Sequence, residues 1–176
     1  SPLSDFLIER CLKNKKLLGN KFYWCLKVAE ENILFKDRIT TILTQLFMMS
    51  GPDFIDYITK IKENNAEFKK LSEEAKKIYP KIDQKIRSKV INETIKKNIK
   101  EKFNNGIKYF FLPVHPSYYS CGFEFTKLRA FSSKMVPIRL NLYSSEGQTF
   151  SVIFKIGDDL RQDLMILQIF KIMDKI

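Results

Sequence analysis

The stretch VIFKIGDDLRQD, residues 152–163, decides the fold of the second half of the chain. Apolar side chains at every second position put one face of a predicted strand into a core, which leaves Ile153 and Lys155 on the opposite face. Gly157 then marks a turn, and the two aspartates after it, Asp158 and Asp159, are expected to cap a helix rather than to act as a paired acid and base. We therefore predict a strand, a glycine turn and a helix that begins near Asp158.

The predicted helix is apolar almost all round. Leucine, isoleucine, phenylalanine and methionine occupy most of the positions from 160 to 173. A helix with so little polar surface is expected to be covered on more than one side.

Strand and turn residues also dominate the fifty positions before this helix. Ile138, Leu140 and Leu142 alternate onto one face, and proline, serine and glycine mark turns at 113–116 and 144–147. The pattern predicts a small antiparallel sheet, with strands at 109–112, 137–143 and 148–155.

The first half of the chain has the three-and-four spacing of apolar residues that is typical of buried helical faces. Gly51 and Pro52 stop one of these helices and Pro80 ends the next. The predicted helices begin at residues 1–2 and near residue 22 and then cover 35–49 and 53–78, with a break at 14–19. The expected fold class is α+β, with a helical segment to about residue 105 followed by the sheet and one helix.

A basic amphipathic helix is predicted over 81–103. Its apolar stripe carries isoleucine, valine and phenylalanine, and lysines cover most of the remaining surface. Residues 76–108 hold 11 basic and 3 acidic side chains, so this tract supplies most of the net charge of +11. Three interpretations follow: a packed helix with a solvated lysine face, contact with anionic lipid head groups, and nucleic-acid binding. The last is disfavoured because no aromatic residues alternate with the lysines.

The composition excludes several classes of protein. With 44% hydrophobic and 29% charged residues the chain is globular, and its longest apolar run, 22–26, is far shorter than the roughly 20 residues of a membrane-spanning helix. Three dispersed cysteines and one histidine, His115, argue against a disulfide framework and a zinc site and suit a reducing cytosolic compartment.

The stretch at 152–163 resembles phosphatidylinositol 3-kinases, whose kinase N-lobe carries V-I-F-K-x-G-D-D-L-R-Q-D. The resemblance continues at Leu167, Gln168 and Ile169, and in the first half at Tyr23 and Trp24. The Tyr-Trp pair favours the class III, vacuolar protein sorting type. The resemblance implies that 1–78 is the end of a helical domain, 79–105 a connecting helix, and 106–176 a kinase N-lobe with its sheet and one long helix.

The resemblance also implies roles for individual residues. Lys155 is similar to the lysine that contacts the phosphates of ATP, and Asp163 to the carboxylate that orients this lysine. The cofactor-binding residues are expected to be those that line the adenine pocket or cover the nucleotide, namely Phe131, Ser132, Ser133, Pro137, Ile153 and Lys155. An ammonium group on the exposed face of a strand is a point charge suited to phosphate oxygens.

The D-R-H-x-x-N loop and the D-F-G motif of the family are absent from this sequence. Because phosphoryl transfer needs those groups to position the hydroxyl and hold magnesium, we expect the chain to be a fragment that does not catalyse alone, with the magnesium ligands in an absent C-lobe. The resemblance implies a parent that phosphorylates the 3-hydroxyl of phosphatidylinositol in the cytoplasm, on endosomal and autophagic membranes. It also implies a protein-kinase-like regulatory subunit and a beclin-type partner.

An alternative remains open. The chain could be a catalytically inert, truncated product that acts as a scaffold or as an anionic-membrane-binding module through the lysines of 81–103.

Overall fold

The computed structural model describes residues 1–103, 110–112, 119–131, 133–159 and 161–174. The helices of this part are α1 Pro2–Lys13, α2 Asn20–Ala29, α3 Lys36–Ser50, α4 Pro52–Ile78, α5 Arg87–Phe103 and α6 Arg161–Met173. The strands are β1 Phe110–Phe111, β2 Tyr119–Phe123, β3 Arg129–Ala130, β4 Ile138–Ser144 and β5 Thr149–Phe154. The predicted α+β class, with helices first and a small antiparallel sheet after them, is confirmed.

The predicted bounds of α3 and α4 are confirmed to within one residue at each end. Gly51, with φ of 79°, separates the two helices and adopts a backbone conformation that other residues rarely take. The predicted break at 14–19 is wrong, because a π-helical turn, Lys15–Gly19, continues the chain directly into α2. The Asn14 side chain accepts a hydrogen bond from the Leu17 N–H at 3.1 Å and caps this turn.

The prediction that the basic helix begins at residue 81 is also wrong. Asp83 accepts a hydrogen bond from the Lys85 N–H at 2.8 Å, and this local bond competes with helix formation. The Arg87 guanidinium donates to the Ile82 carbonyl at 2.9 Å and fixes the segment just before the helix. As a result α5 begins at Arg87, six residues later than the apolar stripe indicated.

Strand β4 is the centre of the sheet. It pairs along 138–143 with β5, in a register that puts Ile138 opposite Phe154. On its other edge β3 pairs with the first half of β4 and β2 with the second half, while β1 adds to β2. All pairs are antiparallel, and the turn at 144–147 that joins β4 to β5 was correctly predicted.

Strands β2 and β3 were missed from the sequence. Strand β3 has only two residues, and β2 is a five-residue strand in which serine and glycine, both poor strand formers, separate Tyr119, Cys121 and Phe123. The pairing of β2 with β4 shifts register between Ser120 and Gly122, and the Ser120 hydroxyl donates to the Tyr143 carbonyl at 3.1 Å. Such bulged, polar strands give little periodic signal.

Two apolar cores are present in the described residues, and α4 contributes to both. The first is formed by α1, α2, α3 and the first half of α4. The second joins the last half of α4 and the buried face of α5 to the sheet, and its members include Phe68, Ile95 and Leu140. Phe68 stacks on Phe103 at 5.5 Å between ring centroids and lies 5.7 Å from Phe154. Consequently α4 is a rigid link between the helical bundle and the underside of the sheet.

Helix α6 lies exposed along its whole described length. Its large apolar side chains are 45% to 62% exposed. The predicted apolar character is confirmed, but the helix begins at Arg161 rather than near Asp158, because Asp159 takes the capping role described below.

Candidate functional site

Lys155 directly follows strand β5 at the edge of the exposed face of the sheet. Ile153 lies two residues earlier on that face and is 63% exposed. In the β4–β5 ladder Ile153 pairs with Arg139, which is also exposed. The neighbouring residues Val152 and Phe154 pack against the second core, so the alternation predicted for this strand is confirmed.

The loop between β3 and β4 closes into a tight turn. The Phe131 N–H donates to the Pro137 carbonyl at 2.9 Å, and the Val136 N–H donates to the Ser133 carbonyl at 2.9 Å. Val136 is buried and has a φ of 44°, which shows how tightly the backbone bends there. Phe131 and Ser133 are exposed. Ser132, a predicted cofactor-binding residue, lies outside the described residues.

The ladder brings this turn and Lys155 to the same end of the sheet. Ile138 pairs with Ala130 on one side and with Phe154 on the other, so the residues that follow Ala130, precede Ile138 and follow Phe154 are neighbours. The predicted residues Phe131, Ser133, Pro137, Ile153 and Lys155 are therefore grouped at one end of the exposed sheet face.

The ammonium group of Lys155 forms an ion pair with Asp158. The two residues are three positions apart and flank the turn at Gly157, whose φ is 77°. Asp163, which was predicted to orient Lys155, lies in the first turn of α6 and is exposed. The role of Asp163 stays a prediction, and the sequence had assigned Asp158 only a capping role.

Asp159 and Arg161 form the entry to α6. The Asp159 carboxylate accepts from the Arg161 backbone N–H at 3.1 Å and from the Arg161 guanidinium at 2.6 Å. These hydrogen bonds lower the pKa of Asp159 to about 2. The predicted capping role of Asp159 is therefore confirmed, and it fixes the start of the helix.

A lysine from the helical segment also reaches this turn. Lys76, in the last turn of α4, donates from its Nζ to the Ile156 carbonyl at 2.8 Å. A Cβ built on Gly157 would lie 3.3 Å from the Met135 Cε and 3.9 Å from the Lys76 Nζ. Sequence reasoning missed Lys76 because nothing local distinguishes it from the lysine next to it.

A cleft of about 790 Å³ lies between α2 and the turn that follows Lys155. The Trp24 side chain, on the α2 wall, donates from Nε1 to the Asn20 side chain at 3.0 Å. Charged and apolar side chains both line the cleft, from Trp24, Cys25, Val28 and Glu31 on one wall and from Gly157, Asp158, Asp159, Arg161 and Leu164 on the other. The Lys155–Asp158 pair is thus adjacent to the helical segment as well as to the sheet.

The apolar stripe of α5 is buried in the second core, as the packed-helix interpretation predicted. Some of its charges are paired along the helix, with Lys96 3.4 Å from Glu93 and Lys97 3.8 Å from Glu101. Lys89, Lys97 and Lys100 on the other face are exposed.

The described part of the chain contains no cluster of three or more histidine, cysteine or acidic side chains that could hold a metal ion. None of its helices is long and apolar enough to cross a membrane. The three cysteines are free thiols, and burial raises the pKa of Cys11. His115 lies outside the described residues.

Comparison with models of known protein families finds no match. Individual proteins match over the full length of the chain. The sequence is 31% identical over 178 residues to phosphatidylinositol 3-kinase 1 of Dictyostelium discoideum, and the alignment covers 100% of this chain and 11% of that protein. It is 31% identical over 183 residues to the human phosphatidylinositol 3-kinase C2 domain-containing subunit gamma, covering 100% of this chain and 12% of the relative.

The chain is a homologue of phosphatidylinositol 3-kinases. It is also 28% identical over 184 residues to phosphatidylinositol 3-kinase VPS34 of Saccharomyces cerevisiae, covering 100% of this chain and 19% of that protein. The chain spans 9% of the length of phosphatidylinositol 3-kinase 2 of Dictyostelium discoideum and 20% of the length of the Candida albicans VPS34. Identities of 28% and 31% do not separate the vacuolar sorting type from the C2 domain-containing type, so class III is favoured only weakly.

Proposed function

We propose that this chain carries the ATP-phosphate-binding part of a phosphatidylinositol 3-kinase, with the sheet and α6 as its kinase-type N-lobe. One observation carries the proposal. Lys155 stands at the exposed end of β5, beside the tight turn at 131–137, within a sequence stretch that resembles the ATP-binding strand of these kinases. A positive charge and a narrow backbone turn at one end of a sheet suit a triphosphate.

Different exposed groups would contact the phosphates and the base of the nucleotide. The Lys155 ammonium would contact phosphate oxygens, and Ile153 would lie against the adenine, with Phe131 over the base. Within the turn the N–H groups of Phe131, Ser133 and Val136 already donate to carbonyl oxygens. Phosphate contact would therefore fall to the Ser133 hydroxyl and to other N–H groups of the turn.

Lys155 must leave Asp158 before it can serve a phosphate. The ion pair is partly exposed, with side chains 32% and 40% accessible, so breaking it costs little. Asp163 on α6 would then take the orienting role that the resemblance gives it. Magnesium that accompanies ATP would be held by carboxylates of a C-lobe, and the residues of this chain would bind and orient the nucleotide.

The wider role rests on the resemblance to the family. We propose a class III-like parent that phosphorylates the 3-hydroxyl of phosphatidylinositol and works in the cytoplasm on endosomal and autophagic membranes. A protein-kinase-like regulatory subunit and a beclin-type partner belong to the same proposal. Two VPS34 relatives, from Candida albicans and Saccharomyces cerevisiae, match at 28% identity and support the class assignment only weakly, because a C2 domain-containing relative matches at 31%.

Nucleotide binding by this chain tests the proposal. Lys155→Met should weaken the binding of ATP, measured by equilibrium dialysis, by about tenfold, since one charge-assisted contact is lost. Lys127→Met is the matched control: Lys127 is likewise an exposed lysine paired with a carboxylate, Glu124 at 3.2 Å, and it precedes β3, outside the 131–137 turn. Equal ATP affinity of the Lys155→Met variant and the wild type would remove Lys155 from the site.

In a longer protein that includes a C-lobe, Lys155→Met should abolish lipid phosphorylation without lowering the melting temperature. Product formation at the wild-type rate would contradict the proposed role.

A second candidate function is binding to an anionic membrane surface through α5. The favourable observation is that its lysine face, which includes Lys89, Lys97 and Lys100, is exposed. The isoleucines of the opposite face are buried in the second core, so the helix cannot insert its apolar face into lipid. Such binding would be electrostatic and sensitive to salt.

A further inference from the structure

The contact between Lys76 and Ile156 joins positions 80 residues apart. Lys76 lies in the last turn of α4, is half-buried, and directs its Nζ to the Ile156 carbonyl at 2.8 Å. The next residue, Lys77, is exposed. The two lysines therefore share helix, charge and length but differ in burial and in this contact.

The bonded carbonyl belongs to the short turn that carries the Lys155–Asp158 ion pair. Ile156 follows Lys155 directly, and Gly157, with a positive φ of 77°, reverses the chain so that Asp158 meets the lysine. Met135 of the 131–137 turn packs where a side chain at Gly157 would lie. The turn is thus held by the ion pair between its own residues and by the hydrogen bond from Lys76 of α4.

We propose that Lys76 is a positioning residue for Lys155, which rests on the proposed function of Lys155 in binding ATP phosphate. The hydrogen bond from Lys76 fixes the peptide plane between Ile156 and Gly157, and this plane sets the direction in which the chain leaves β5. The orientation of this peptide plane therefore determines where Lys155, at the end of the strand, lies.

The same contact links Lys155 to the helical bundle. Helix α4 contributes side chains to both apolar cores, so the end of the helix is held firmly relative to the sheet.

The experiment uses the fact that Ile156–Gly157 is the only isoleucine–glycine pair in the sequence. Protein labelled with carbonyl ¹³C in isoleucine and ¹⁵N in glycine gives one correlated carbonyl–nitrogen signal, and it reports the bonded carbonyl. Lys76→Met should move this carbonyl signal upfield, because hydrogen bonding deshields a carbonyl carbon. Lys76→Arg, which keeps a donor, should restore the position, and Lys77→Met should leave it unchanged.

A second measurement asks whether Lys155 responds. The heteronuclear ¹⁵N NOE of Lys155 and Asp158 should fall in Lys76→Met and recover in Lys76→Arg, with Lys77→Met equal to the wild type. ATP affinity should drop by about two- to tenfold in Lys76→Met, which matches the loss of one hydrogen bond.

The outcomes separate the two proposals. An unmoved carbonyl signal, or an unchanged NOE at Lys155, in Lys76→Met would overturn the positioning role. The positioning role is also overturned if the carbonyl signal and the Lys155 NOE both change in Lys76→Met but ATP affinity falls only in Lys155→Met. If the carbonyl signal and the Lys155 NOE both change in Lys76→Met, but neither Lys76→Met nor Lys155→Met alters ATP binding, the link between Lys76 and Lys155 stands. The proposed nucleotide function then fails.

Discussion

The ammonium of Lys155 is held by the carboxylate of Asp158 across the Gly157 turn. A nucleotide phosphate and this carboxylate would compete for the same charge. Asp163, by contrast, lies exposed in the first turn of α6, and on the proposed function it would orient the lysine once that pair has opened. The two aspartates are therefore expected to act in opposite directions on nucleotide binding.

Asp158→Asn and Asp163→Asn test this opposition. Asp158→Asn should strengthen ATP binding by about two- to fivefold, because a partly exposed ion pair no longer competes with the phosphate. Asp163→Asn should weaken it if that carboxylate orients the lysine. Equilibrium dialysis on the two variants measures both effects, and a change of the same sign in both would contradict the competition.

The Asp159–Arg161 pair predicts a pH dependence. Because the pKa of Asp159 is lowered to about 2 from its ordinary value of 3.8, the folded state favours the ionised carboxylate. The stabilisation is present above pH 3.8 and is lost as the pH falls through about 2. Titration of the Asp159 side chain by NMR should give this low pKa, and Arg161→Ala should raise it towards 3.8. An Asp159 pKa that Arg161→Ala leaves unchanged would exclude the guanidinium as the cause.

Gly157→Ala should destabilise the protein more than Gly147→Ala. Both glycines have a positive φ, 77° and 78°, so both variants suffer a backbone cost of about 1–2 kcal/mol. A methyl group on Gly157 would in addition lie 3.3 Å from the Met135 Cε, whereas nothing lies within 4 Å of one on Gly147. Urea unfolding gives the difference in the free energy of unfolding.

A second variant identifies the contact. Gly157→Ala should lower the free energy of unfolding less in a Met135→Ala background than in the wild type. A double-mutant cycle measures this difference as the coupling between the two positions. Equal free energies of unfolding for Gly157→Ala and Gly147→Ala would show that Met135 moves aside without cost.

The membrane alternative makes a separate prediction. Replacing exposed lysines 85, 89, 97 and 100 with glutamine should weaken binding of the chain to phosphatidylserine-containing vesicles, and added salt should weaken binding of the wild type. The matched control replaces four exposed lysines of the helical bundle, at 13, 16, 21 and 36. Cosedimentation with vesicles measures the binding. An equal loss of binding in the two variants would show that net charge alone is responsible.

Much of the fold could be predicted because apolar periodicity is a local property. Helices α3 and α4 and strands β4 and β5 have regular patterns over many residues, so their existence follows from the sequence. The start of α5 could not be predicted, because the bond from Lys85 to Asp83 competes with the apolar stripe. Strand β3 was missed because two residues cannot show a period.

The site divides in the same way. Lys155, Ile153 and the turn at 131–137 were identified from a local stretch of sequence and from its resemblance to a family. Their grouping depends on the register of β4 with β3 and β5, which sets three separate segments at one end of the sheet. The pairing of Lys155 with Asp158 depends in turn on the positive φ of Gly157.

By itself, the sequence determined the class of the fold, the kinship with phosphatidylinositol 3-kinases and the lysine at the exposed end of β5. Only the tertiary structure decided which carboxylate holds that lysine and that Lys76, 79 positions before it, supports the adjoining turn. The physical reason is that alternation along a strand is encoded by neighbouring residues, whereas a contact between α4 and the end of β5 exists only once both have packed on one core.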